Sequence, residues 1–189
     1  MQFTEQQHTA SSEIVELIAK ELGENRAVDS VAAISSCARL TGSFMFRSFN
    51  LALKDVKLGN VVLSEEANEK WPELVNIVAW KLSTYGIEMD SKKVNDSPIA
   101  ESKFNFLDNL NLLQNKAAAI MNKNKLDFEQ MAYSCAVATA FVIKECQHDL
   151  TLESGFNTAI YGIIEGCKTY PPDLSDKSSK KKSIFSFWK

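Results

Sequence analysis

What most constrains this chain is how rarely it can turn. Seven glycines and four prolines stand among 189 residues, about half the share of roughly 12% that these two types hold in soluble proteins. Elements separated by so few breakers must be long. Apolar residues recur at intervals of three and four, the period of an amphipathic helix, while alternating β-branched runs are nearly absent. The short extended candidates are Val61-Val62-Leu63 and Ile87 to Met89. These patterns predict an all-α, single-domain bundle of about six helices. Helix should hold well over half of the residues, with at most one short strand pair.

The breakers and caps place the elements. A first helix is expected over about 10–22, with Ser11 or Ser12 as N-cap and Gly23 just past its end. The second runs from Asp29 or Ser30 to Leu58, before Gly59. At nearly thirty residues it would be about 43 Å long, at 1.5 Å per residue, which makes it the central member of the bundle. A third helix begins at Ser64, is offset at Pro72 and ends at Gly86, with Trp71, Val75, Val78, Leu82 and Tyr85 on one face. After a polar loop over 88–97, a fourth opens on Ser97-Pro98, a cap followed by proline at the first helical position. It buries Phe106, Leu110, Leu113, Ala117 and Ile120. Asp127 caps a fifth helix that runs to about Gln147, and a sixth spans Thr151 to about Lys168, before Pro171-Pro172. Residues 1–170 therefore form the helical domain, and residues 171–189 a basic and aromatic C-terminal tail.

Composition narrows the class without naming a chemistry. A hydrophobic share of 45% and a charged share of 24% are those of an ordinary globular protein. The net charge of −3 is unevenly spread: the five lysines of the tail face only Asp173 and Asp176, which leaves the body at −6 and the tail at +3. An acidic body argues against a nucleic-acid partner, because that affinity comes mainly from basic groups neutralising phosphates. No apolar run reaches the roughly 18 residues of a membrane span. The opening residues lack the basic-then-apolar order of a secretory signal, so a cytoplasmic protein is expected, peripheral at the inner face of the membrane if the tail binds there. Cys37, Cys135, Cys146 and Cys167 have no CxxC spacing and fall in helical, mostly apolar stretches. They read as reduced core residues.

Glycines 42, 155, 162 and 166 lie inside predicted helices, where each costs about 1 kcal/mol relative to alanine. Gly155, Ala159, Gly162 and Gly166 share one face, and small residues also cluster at 35–43 and 134–140. Close approach of three helices offsets that cost. The alternative is a pocket left by the missing side chains.

Arg39 and Arg47 sit within the most apolar helix, about 80° apart around its axis and about 12 Å apart along it. A guanidinium buried there requires a partner, such as Asp108, Glu145 or Glu165 in an internal ion pair. As a functional pair, the two would bind a phosphate or carboxylate. Each histidine follows a glutamate by three residues, Glu5 before His8 and Glu145 before His148. Two such pairs occur in di-iron helical bundles, but these stand at helix ends in polar surroundings, so no metal site is assigned. No phosphate loop, nucleophile elbow or metalloprotease motif is present, and neither catalytic residues nor a cofactor is assigned. The tail joins Lys180, Lys181 and Lys182 to Ile184, Phe185, Phe187 and Trp188, the combination of a weak peripheral anchor on anionic lipid. The same residues suit back-folding onto the body or docking into a partner. The preferred reading is a non-enzymatic interaction or regulatory protein whose tail contacts a membrane surface or a protein partner, with a homo-oligomer also compatible. The alternative is a binding or enzymatic domain that uses Arg39 and Arg47 on an anionic small molecule.

Overall fold

The computed structural model describes residues 2–23 and 27–174. Seven α-helices and one short 3₁₀ turn make up 70% of the described residues, with no strands among them. The helices are α1 (Glu5–Leu22), α2 (Ser30–Ser48), α3 (Glu65–Thr84), α4 (Ser91–Asp96), α5 (Phe106–Lys123), α6 (Phe128–Glu145) and α7 (Leu152–Lys168). No described helix is long and apolar enough to cross a membrane.

Helix α2 is the axis of the bundle. Every residue from Ala32 to Phe46 is buried, because α6, α7, α1, α5 and α3 all pack around it. It is shorter than expected and ends at Ser48 rather than near Leu58. The segment beyond it contains no glycine until Gly59, but Asn50 and Asp55 take the left-handed conformation, at φ 51° and 59°. Asn and Asp tolerate that conformation because their short side chains bond locally.

Two further boundaries differ from the sequence reading, and the segment 88–97 expected as a polar loop holds the short α4. Helix α1 starts at Glu5, capped by a reciprocal Thr4–Gln7 box, a turn and a half before Ser11. Helix α5 starts at Phe106, where Asn105 caps the Asp108 amide. Residues 97–104 are instead an irregular strap laid over α7, following the short α4. There the Pro98 carbonyl accepts from Ser154 at 2.8 Å, and the Ala100 amide donates to Thr158 at 3.1 Å. The buried face of α3 is Ala67, Leu74, Ile77, Val78 and Leu82, which leaves Trp71, Val75 and Tyr85 half-buried at its margin. The caps expected at Ser64, Asp127 and Thr151 are in place.

Of the extended candidates, Val61 forms an isolated antiparallel bridge with Thr169, and Ile87 to Met89 pair with nothing in a ladder. Around that bridge Gly59 donates to the Tyr170 carbonyl, Tyr170 to Asn60 and Val62 to Lys168, at 2.7 to 2.9 Å. The chain leaving α7 is thereby tied down, and the packed region continues to the last described residue. Pro171 and Pro172 are buried and Leu174 is partly so.

The interior glycines mark where α2 meets α7. A Cβ on Gly42 would collide with the Ile163 carbonyl and lie 2.6 Å from the Cys167 nitrogen, and one on Gly166 would lie 2.8 Å from the Gly42 Cα. One helix turn away, a Cβ on Gly162 would lie 2.8 Å from that of Ala38. Two four-residue steps of small residues, 38/42 and 162/166, thus bring the backbones into direct contact. The α2–α6 contact is built similarly: the Thr41 and Thr139 hydroxyls lie 3.3 Å apart, and the Cys37 thiol reaches the Cys135 carbonyl. Burial pushes the Cys37 thiol up to about 12 and the Cys135 thiol well above its usual value. Both stay protonated at neutral pH, which is the state of an inert core thiol.

Candidate functional site

Arg39 projects from mid-α2 toward α7 and is 6% exposed. Its Nε donates to Glu165 Oε2 at 2.6 Å, and its Nη1 donates to the Phe104 carbonyl of the strap at 2.8 Å. Of the three carboxylates that the sequence offers, Glu165 is the partner. The pair forms one wall of a cavity of about 380 Å³, with Ser35, Thr158, Tyr161 and Gly162 on the helices and residues 99–102 of the strap. Glu101 and Glu165 both line this cavity, in which Arg39 is the one guanidinium among the described residues.

Arg47 lies in the last turn of α2 and is half-buried. Among the described residues no carboxylate comes within ion-pair distance of it. Its Nη2 donates to the Gln114 side-chain carbonyl at 2.7 Å and to the Pro172 backbone carbonyl at 2.6 Å. Gln114 in turn donates from Nε2 to the Asp173 carbonyl at 3.4 Å. Desolvation lowers the guanidinium to about 10, against the opposing pull of Asp173 and Tyr170, so it remains charged at neutral pH. A shallow cavity of about 280 Å³ adjoins it, lined by Phe46, Leu51, Leu53, Phe128, Tyr170 and Pro171 among others. The two arginines therefore stand at separate cavities and are not brought together. Arg39 closes a helix pair, and Arg47 with Gln114 clamps the segment leaving α7.

That clamp sets an expected result. Arg47→Met leaves the Pro172 carbonyl and the Gln114 oxygen without their donor, a loss of about 1–2 kcal/mol, partly offset because a half-buried charge is removed. The denaturant midpoint should fall modestly, and exchange of the Tyr170 amide, which donates to the Asn60 carbonyl, should speed up. An unchanged exchange rate there would show that Arg47 does not hold the segment.

Elsewhere, Lys70 contacts Glu73 and Glu129, and the Tyr133 hydroxyl donates to both carboxylates. Burial and the two carboxylates raise the Tyr133 phenol, so it stays a donor. This network ties α3 to α6 at the surface. His8 and His148 are exposed, and no group of three or more His, Cys, Asp or Glu among the described residues is placed to hold a metal. Lys180, Lys181, Lys182, Ile184, Phe185, Phe187 and Trp188 lie outside the described residues. Sequence reasoning does not find Gln114 or the strap, because neutral acceptors and irregular backbone leave no spacing signal.

Comparison of this chain with known protein families, curated proteins and solved structures finds no match.

Proposed function

We propose that the chain is a non-catalytic helical interaction protein that presents its C-terminal basic and aromatic segment to an anionic membrane surface. The observation that carries this reading is the clamp. Residues 170–174 are fastened to the bundle by backbone bonds at Tyr170 and by Arg47 and Gln114 at Pro172 and Asp173. A tethered segment whose exit point is fixed has a defined origin on the surface, and six residues after Leu174 the lysine cluster begins. Each lysine near an anionic leaflet contributes about 1 kcal/mol, and the aromatic residues favour the interface.

The test is cosedimentation with vesicles at low salt. Full-length protein should pellet with phosphatidylserine-containing vesicles and remain in the supernatant with neutral ones. Replacing Lys180, Lys181 and Lys182 together by Ser removes about 3 kcal/mol, a drop in partitioning on the order of 100-fold. Equal recovery of both proteins in the supernatant ends the membrane reading and turns the search toward a protein partner.

An anionic small molecule at Arg39 and Arg47 draws support from the 380 Å³ cavity beside Arg39. The local charge runs against it, since Glu165 already meets Arg39 and Glu101 adds a second carboxylate.

A further inference from the structure

Five large apolar side chains are exposed among the described residues: Leu58, Val61, Leu63, Ile99 and Tyr161, each more than half exposed. Singly, such residues are ordinary, but Val61, Ile99 and Tyr161 gather along one side of α7. Val61 and Tyr161 line a cavity of about 620 Å³ together with Phe106, Leu107 and Ile164. Ile99 and Tyr161 line the neighbouring cavity of about 380 Å³. The two share Tyr161 and Glu165, so they adjoin along α7 and together offer a groove, with the strap beside one part and the 59–62 ribbon beside the other. Leu58 and Leu63 bracket that ribbon.

We propose that this groove seats Ile184, Phe185, Phe187 and Trp188 of the same chain. Three arguments select that occupant. The first is chemical: the charges on the walls balance, Arg39 and Lys168 against Glu101 and Glu165, so the groove calls for an apolar occupant, and these four are the apolar residues of the chain beyond Leu174. The second is reach. Thr169 belongs to the groove wall, and the ten residues from Leu174 to Ile184 have a relaxed span of about 17 Å and a maximum of about 35 Å. Helix α7, at about 25 Å, lies within that radius. The third is charge: the body at −6 attracts the +3 of residues 171–189. Because the two parts are tethered, their effective concentration is in the millimolar range, so a weak site is filled without any partner.

Groove docking does not depend on the membrane reading. A segment that stays in the groove satisfies this inference and defeats that one. If both hold, groove and membrane compete for the same four side chains.

The experiment is methyl NMR on the full chain carrying a nitroxide at Ser186→Cys. Cys146→Ser removes the half-buried thiol, and the other three cysteines are buried. The Val61, Ile99 and Ile164 methyl signals should lose at least half of their intensity, that of Val15 on α1 should keep its own, and tenfold dilution should change neither. Tyr161→Glu in the labelled chain should restore the lost intensity, with helicity by circular dichroism confirming that the variant is folded. The inference is overturned if the groove signals are untouched, if the loss instead centres on Leu51 and Leu53 beside Arg47, or if it fades on dilution, which would mean a second copy occupies the groove.

Discussion

Gly42→Ala should destabilise the protein severely, while Gly155→Ala leaves it nearly unchanged. Both glycines are buried within helices, and both substitutions gain about 1 kcal/mol of helix propensity. The difference lies in what the new methyl group meets. At Gly42 all three nearest atoms are backbone atoms of α7, which cannot swing aside, so the helices must move apart along their main contact. Overpacking of this kind costs about 3 kcal/mol or more, which for a chain of this size lowers the thermal midpoint by about 10 °C. At Gly155 the nearest atom is the end of the Ile34 side chain, 3.3 Å away, and a small rotation accommodates it. Thermal unfolding followed by circular dichroism separates the two outcomes. Equal midpoints for the two variants would mean that α2 and α7 do not touch through Gly42 and Gly166.

The backbone contact is legible in the sequence because it carries a cost. Glycine inside a helix is unfavourable, so three of them on one face, matched by small residues on two other helices, signal close approach by themselves. The boundaries are legible only where a cap stands alone. Ser64, Asp127 and Thr151 each cap a helix where the sequence places one. Thr4 with Gln7 carries the capping-box spacing as well, but Ser11 and Ser12 are nearer the apolar stripe and compete with it. Ser97-Pro98 misleads for the opposite reason. It has the composition of a helix start, yet α5 begins only at Phe106 because residues 97–104 bond to α7 instead. The early end of α2 rests on two left-handed residues, Asn50 and Asp55, whose side chains permit that conformation without announcing it.

For the candidate site, burial and charge of the arginines are readable and their partners only half so. A buried guanidinium needs an acceptor, and carboxylates can be enumerated from sequence, so Glu165 stands among three candidates. The acceptors of Arg47 are an amide side chain 67 residues away and a backbone carbonyl 125 residues away. Nothing local in the sequence marks a carbonyl as a ligand for a distant cation. The groove leaves no sequence signal because Val61, Ile99 and Tyr161 are far apart in the chain and meet only through the strap and the ribbon.

Arg39→Met should cost about 3 kcal/mol, more than the paired replacement Arg39→Met/Glu165→Leu. The side chains of Arg39 and Glu165 are 8% and 22% exposed, so the single variant strands a carboxylate that water reaches only in part. Breaking such a pair costs about 3–5 kcal/mol when burial is complete, and the residual exposure of Glu165 sets the expectation at the lower end. The Phe104 carbonyl also loses its donor, worth about 1 kcal/mol, in the single and the double variant alike. Removing both charges relieves the stranded carboxylate, and apolar replacements of buried ion pairs are often close to neutral. The double variant should therefore fall by only about 1 kcal/mol, and because Glu165→Leu alone strands Arg39 as well, the double-mutant cycle measured by denaturant unfolding should give a coupling of at least about 2 kcal/mol. Because the pair is largely shielded from solvent, that coupling should change little between low and moderate salt. A single variant no less stable than the double would place Glu165 in contact with bulk water. The wall that Arg39 and Glu165 share with the groove would then be a solvated charge, on which an apolar segment could not rest.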